Sequence, residues 1–211
     1  MERDNELVMG VPTHTLFETG FYFKGFVTPG PLVHYLMERI EQSAAYRYRG
    51  DCETDIEFKQ IIPYCLITRG QETFVYRRKN GSDEKRLHAK FSVGIGGHIN
   101  PEKSLFSTRS VIQASMFREI TEEVEISADI EHDHSPKFIG MINWDEDEVG
   151  TVHFGLVYHI QLPEHTTVEI REKDKLEGSF QPVNEVCEID NWENWSNLVV
   201  GAYLIPYLKR N

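Results

Sequence analysis

The sequence predicts an α/β fold, a mixed sheet held between helices. Three observations point there. Phe58 to Thr68 is apolar enough for a buried strand, with Ile61, Ile62, Tyr64, Cys65, Leu66 and Ile67 in one run. The stretch ending in Arg118-Glu119-Ile120-Thr121-Glu122-Glu123-Val124 carries apolar residues at helical spacing. Strand and helix patterns then follow in the order strand, strand hairpin, glycine loop, helix, strand pair, strand, helix.

Taken in order, residues 1–57 read as an α/β extension packed on the core, and 58–211 as the main domain. Leu7 to Pro12 is a short strand closed by proline. Thr13 or Thr15 caps a brief helical turn. Phe17, Phe21, Tyr22, Phe23 and Phe26 concentrate aromatics suited to a core or a homodimer interface, with a base-stacking platform as the alternative. Leu32 to Ala45 follows as a helix with Leu32, Tyr35, Leu36 and Ile40 on one face. Tyr46 to Gly50 reads as a surface strand or loop.

Pro63 marks a bulge or edge in the long strand. Glu72 to Arg78 is the next strand, and Asn80-Gly81 is a hairpin signal. Arg77, Arg78 and Arg86 lie where one of them could reach a phosphate. Lys137 to Trp144 and Val152 to Leu162 read as paired strands joined by the acidic loop Asp145 to Glu148, expected to be solvated. Val168 to Arg171 is a further strand, and a closing helix begins near Glu185, anchored by Trp192, Trp195, Leu198, Val199 and Leu204.

The chain has 211 residues, enough for one good core, and is 40% hydrophobic and 27% charged. Its net charge of −12 argues against nonspecific binding to nucleic acid or an anionic membrane. A small anionic substrate is not excluded, since a bound divalent cation reverses the local sign. The N-terminal Met-Glu-Arg-Asp-Asn-Glu is no signal peptide, and Leu198 to Leu208 is too short to span a bilayer. Cys52, Cys65 and Cys187 are odd in number, lack metal-ligand spacing and read as reduced thiols, which suits the cytoplasm.

Chemistry concentrates in one helix. Glu119, Glu122 and Glu123 fall at i, i+3 and i+4 and crowd one face, while Ala114, Phe117, Ile120 and Val124 are expected on the opposite, core-facing one. Arg118, four residues before Glu122, can pair with it. Like charges this close repel unless a cation sits among them, and oxygen-only ligands suit Mg²⁺ or Mn²⁺. The plain alternative is a solvated acidic face. Upstream, Gly94-Ile95-Gly96-Gly97-His98 follows a strand-like run and lets the backbone turn sharply.

A glycine pair followed by a helix with Arg-Glu-x-x-Glu-Glu resembles the signature of the Nudix hydrolases. Arg118, Glu119, Ile120, Glu122, Glu123 and Ile126 match it residue for residue. Three departures accompany the match. Glu125 stands at the motif's last glycine, Ser110 stands where its upstream Glu belongs, and Gly97 lies 21 positions before Arg118 where the pattern has 14. An enlarged loop around Pro101 to Ser107 accounts for the last two, with Glu102 as a displaced acid.

The resemblance covers residues 58–208 and implies a Nudix-type α/β/α sandwich with a mixed sheet. It also implies hydrolysis of a diphosphate bond in a nucleoside diphosphate linked to another moiety, with Mg²⁺ or Mn²⁺ as cofactor. Glu119 and Glu123 would be the main metal ligands with Glu122 beside them, Arg118 would orient a carboxylate, and the Gly97 carbonyl would complete the shell. Some members add a metal-binding Glu in a loop just before the last core strand, a place Glu177, within Lys175 to Val183, best fits. Arg77 and Arg78 would touch substrate. The alternatives are a non-catalytic nucleotide-binding or regulatory module, and a diphosphate-substrate isomerase needing a cysteine such as Cys65.

Overall fold

The computed structural model describes residues 3–18, 20–79, 90–105 and 107–210. The strands in chain order are β1 (Leu7–Pro12), β2 (Gly25–Val27), β3 (Ala45–Tyr48), β4 (Phe58–Arg69), β5 (Glu72–Arg78) and β6 (Phe91–Ser92). They continue with β7 (Gly94–Gly96), β8 (Val124–Ile126), β9 (Lys137–Asn143), β10 (His153–Leu162), β11 (Val168–Ile170) and β12 (Leu176–Pro182). The α-helices are α1 (Thr13–Leu16), α2 (Pro31–Ser43), α3 (Arg49–Cys52), α4 (Thr108–Glu123), α5 (Glu148–Val152), α6 (Val183–Glu188), α7 (Asn194–Val199) and α8 (Ile205–Leu208). A π-helical turn, Val200–Leu204, joins the last two. The class is α/β with a large mixed sheet, as expected. Asn80-Gly81 and Arg86 lie outside the described residues.

Two units divide the chain. The first comprises Met1–Tyr64, Gly96–Phe117 and Ile139–Val157; the second comprises Cys65–Ile95, Arg118–Phe138 and Tyr158–Asn211.

In the first unit β1 lies between β3 and β4, antiparallel to both, with Leu7 opposite Tyr48 and Gly10 opposite Gln60. Residues 1–57 therefore donate a strand directly to the edge of β4. β2 adds to β9, with Phe26 opposite Ile142. Pro31 opens α2, where its missing N–H costs nothing, and Val33, Leu36 and Ile40 are the buried stripe. Phe17, Phe23 and Phe154 meet edge to face at 5.9–6.3 Å, so these members of the aromatic cluster are core. Gly96 is required by sterics: a Cβ there would stand 2.3 Å from the Pro63 carbonyl oxygen.

The acidic run after β9 is only in part the solvated loop expected from its charge: Glu146 and Glu148 are exposed, whereas Asp145 and Asp147 are half-buried. Lys59, 2% exposed, donates to the Gly150 carbonyl at 2.8 Å and pairs with Asp145. Asp145 also accepts from the Tyr22 hydroxyl at 3.0 Å and from Asn143 Nδ2 at 3.1 Å. Asp147 caps α5 by accepting from the Gly150 N–H at 2.7 Å. Burial pushes the Lys59 ammonium below its usual range while Asp145 pulls it back up.

In the second unit β5 carries β12 along its whole length, from Leu176 opposite Arg78 to Pro182 opposite Glu72. Residues 175–183, expected to hold a loop, are thus mostly strand. β5 also pairs with β4 through Thr68–Thr73 and with β6 through Tyr76–Ser92. The short strands β8 and β11 pair with Val124 opposite Ile170. The closing helical segment breaks into α6, α7, the π turn and α8 where one helix was expected, and Glu193 caps α7 by accepting from the Ser196 N–H at 3.0 Å. A polar chain ties this segment to the sheet, from Thr68 Oγ1 on β4 to His159 Nε2 on β10 at 2.7 Å and from His159 Nδ1 to the Tyr203 hydroxyl at 2.8 Å.

Candidate functional site

The start of α4 explains two departures in the glycine–helix pattern. Ser107 precedes the helix and its Oγ accepts from the Ser110 N–H at 3.1 Å, while the two hydroxyls meet at 2.7 Å. Ser110 therefore works as a partner in the helix cap, not as a lost acid. Glu102 accepts from the Ser104 N–H at 3.1 Å and its hydroxyl at 2.8 Å, bonds that hold its carboxyl below the usual range. It is engaged by its own loop.

The burial of α4 corrects the expected face. Ala114 is exposed and Phe117 only half-buried; the buried positions are Val111, Ile112, Ser115, Met116 and Ile120. Val124 is buried too, but in β8, because the helix stops at Glu123. Ile112, Ser115, Met116, Glu119 and Glu123 run at i, i+3, i+4, i+7 and i+11, which is a single helical line. The glutamates do not oppose the apolar stripe. They continue it.

The side-chain exposures fall in that order. Glu119 is 15% exposed and Glu122, at the margin of the line, 59%. Arg118 holds both, with Nη2 2.7 Å from Glu119 and Nη1 3.2 Å from Glu122. A single guanidinium thus orients two carboxylates one turn apart. Glu123 is half-buried, and its charge reaches the buried Tyr76, whose hydroxyl donates to the Gly94 carbonyl at 2.8 Å. Burial first, then Glu123, raises the Tyr76 hydroxyl well above its usual range. A hydrogen bond thus ties β5 to the first glycine of the loop, and the charge of Glu123 acts on the same tyrosine.

Electrostatics make that end unusual. No basic residue occupies the last turn, where the helix dipole is negative and carboxylates are disfavoured. Arg171 closes the terminus from the β11 side. Its N–H donates to the Glu123 carbonyl at 2.9 Å, and its guanidinium lies 3.3 Å from the Val124 carbonyl and 3.6 Å from Glu125. Four acidic side chains, Glu119, Glu122, Glu123 and Glu125, gather around this end of the helix. Such an all-oxygen donor set fits a hard divalent cation. As placed, no three His, Cys, Asp or Glu side chains among the described residues converge on one point, since Arg118 draws Glu119 and Glu122 to itself.

The other candidates are dispersed. Gly97 follows β7 in irregular backbone, in the first unit. Glu177 is on strand β12, not in a loop, directly opposite Arg77 and ion-paired with it. Arg77 also lies 5.6 Å from the centre of the Phe91 ring. The two residues expected to hold metal and phosphate are thus each other's partners, and either role competes with that pair. Arg78 ends β5 opposite Leu176. The sequence reading assigned nothing to Tyr76 or Arg171. Their only signals were a tyrosine in a strand otherwise read as buried and a base just after β11.

No family model matches the chain. Protein YmaB of Bacillus subtilis (strain 168) is 37% identical over 206 residues, spanning 95% of this chain and 98% of that protein. The crystal structure of Tm1382, described as a Nudix hydrolase, superposes with a TM-score of 0.78 at 25% identity, over 96% of this chain and 100% of that one. The MutT Nudix hydrolase of Burkholderia pseudomallei shares 12% identity at a TM-score of 0.49, over 68% of this chain and 96% of that structure. The first two likenesses leave few residues uncovered, so most of residues 1–57 falls within the shared span. Among the described residues, no helix is long and apolar enough to cross a membrane.

Proposed function

Because the chain belongs to the Nudix hydrolase family, whose members cleave diphosphate bonds, we propose that it hydrolyses the diphosphate of a nucleotide-linked substrate with Mg²⁺ or Mn²⁺ as cofactor. The observation that carries this reading is the position of Glu119. A carboxylate 15% exposed, on the buried line of α4 and oriented by Arg118, is no member of a solvated acidic face.

Glu119 and Glu123 would hold the cation as principal ligands, with Glu122 beside them. Bound there, the ion supplies charge neutralisation at the diphosphate oxygens and a more acidic water. Arg118 is a positioning residue: its two nitrogens set the carboxylates of Glu119 and Glu122, so neither reorganises far when the site fills. A carboxylate left free of the ion can accept the water's proton. Arg77 or Arg78 would meet phosphate oxygens, and Glu177 would be a further ligand, each on release of the Arg77–Glu177 pair. The domain boundary near residue 57 and a cytoplasmic location belong to the same proposal.

The isomerase reading loses support. Cys65 is fully buried, and burial pushes its thiol well above the usual range, the opposite of what a proton-transferring cysteine needs. The test is a panel of dinucleotides, nucleoside triphosphates and nucleotide sugars with Mg²⁺ and Mn²⁺. Release of phosphate or a nucleoside monophosphate is expected, abolished by excess EDTA and restored by either metal. Full turnover in EDTA would refute the metal mechanism; no product from any member would refute the substrate class.

A further inference from the structure

We infer that His98, His153 and Gln60 form a second cation site, selective for a zinc-class divalent ion. All three belong to the first unit. The His98 and His153 Nε2 atoms face each other at 3.4 Å, and Gln60 Oε1 lies 2.8 Å from His98 Nε2. Two imidazole nitrogens on one tetrahedral ion, each at about 2.0–2.1 Å, stand roughly 3.3–3.4 Å apart. The observed separation is the bite of such a pair. The ring planes cross at 61° with centroids 5.4 Å apart, so the rings meet by their edges and the nitrogens converge.

The orientation of His153 is set from behind. Its Nδ1 donates to the Val149 carbonyl at 2.7 Å, which puts the proton on Nδ1 and leaves the Nε2 lone pair aimed at His98. A ligand histidine is ordinarily fixed in this manner by a backbone carbonyl on its other nitrogen. Burial also disfavours the imidazolium, keeping His153 in the neutral form that binds metal.

Hydrogen bonding alone serves this cluster poorly. If His98 carries its proton on Nε2, one hydrogen must serve both Gln60 Oε1 and His153 Nε2. If it does not, two lone pairs face each other. Gln60 is fully buried, and its Nε2 has no partner among the described residues. It is the Gln60 oxygen that stands next to His98 Nε2. A cation satisfies all three lone pairs together.

The surroundings permit the charge. Glu53 favours positive charge at His153, while Arg49 and Lys59 oppose it. Arg49 pairs with Glu6 and Glu53, and Lys59 with Asp145, so both cations bring counter-charges. His98 is half-buried and gives the ion a route to the fully enclosed His153. Two nitrogens and one amide oxygen select Zn²⁺, Co²⁺ or Ni²⁺ over Mg²⁺.

The test uses the full chain, stripped by chelation and returned to saturating Mg²⁺ so that the carboxylate site is not available. Titration with Zn²⁺ by calorimetry and with Co²⁺ by visible absorption should show one site per chain, with the intense d–d bands of a tetrahedral ion. His98→Gln and His153→Gln should each weaken binding at least about a hundredfold. Cys187→Ser and His132→Ala, which alter an exposed thiol and an exposed Asp129–His132 pair, should leave it unchanged. If His153→Gln fails to fold, the half-buried His98→Gln carries the test. Absence of a stoichiometric site, or its survival in His98→Gln, overturns the inference. Turnover is not read, so failure here leaves the proposed hydrolysis intact.

Discussion

Changing Glu119 to Gln separates a functional carboxylate from a structural one. The substitution preserves shape and removes one charge from a side chain 15% exposed. It deletes the 2.7 Å ion pair with Arg118 but leaves that guanidinium its second partner, Glu122, at 3.2 Å. For a pair with a partly exposed arginine, the loss is worth at most about 1 kcal/mol. Removing a negative charge near the C-terminus of α4 returns about 0.3–1 kcal/mol through the helix dipole. The two nearly cancel, so the melting temperature should move by no more than about 3 °C. Activity should not cancel. Loss of a principal ligand should reduce turnover at least about a hundredfold, roughly 2.7 kcal/mol in barrier. The assay pairs turnover of the best substrate in the panel with Mn²⁺ affinity read by electron paramagnetic resonance. Glu123→Gln should behave alike, whereas Glu102→Gln, whose carboxylate is bound by Ser104 in its own loop, should stay within about tenfold. Normal Mn²⁺ affinity and turnover in Glu119→Gln would refute the placement of the site, and so would equal damage from Glu102→Gln in a folded protein.

Three further outcomes follow. Burial lowers His159 from 6.5 to about 4, so the unfolded chain binds its proton more readily than the folded one. Stability should be full above pH 6.5 and fall by up to about 3 kcal/mol as pH drops toward 4; denaturant melts should show His159→Gln with a flatter slope over this window, and an unchanged slope would contradict the assignment. Lys59→Met leaves Asp145 without its cation and should cost roughly 3 kcal/mol in urea melts, part of it recovered in Lys59→Met/Asp145→Asn; a neutral single variant would count against the buried pair. Deletion of residues 1–50 removes both β1 and β3 and bares the β4 edge, so the product should be insoluble or unfolded by circular dichroism; a stable, active fragment would show the extension to be dispensable.

Where sequence signals were local, they were legible. β1 and β5 occupy the residues that the alternation and the closing proline indicated, and β4 needs only its final Arg69 added. The errors fall where a partner is distant in the chain. Asp145 read as solvated because charge was the only local signal, while its buried partner, Lys59, lies 86 positions away. Glu177 read as a loop acid because the family resemblance places a further Glu in a loop before the last core strand. Its strand is imposed by pairing with β5, and its charge is matched by Arg77, 100 positions earlier. The His98–His153–Gln60 cluster was silent for the same reason, with three residues from separate elements and no shared spacing.

The mistaken face of α4 has a different origin. Apolar spacing placed Ala114 and Phe117 inside, yet the buried line passes through Ser115 and ends in Glu119 and Glu123. A helix that served only packing would have continued Ile112 and Met116 with further aliphatic residues. Here the last turn places carboxylates where the pattern requires hydrophobes, against the dipole and with one guanidinium orienting two of them. Sequence periodicity fails at the position where local consistency has been given up, and such failures are expected at functional sites. The misread face is therefore itself an argument for the site. A solvated acidic stripe would have left the amphipathic pattern intact, whereas a cation-holding one must interrupt the buried line to bring its oxygens inside.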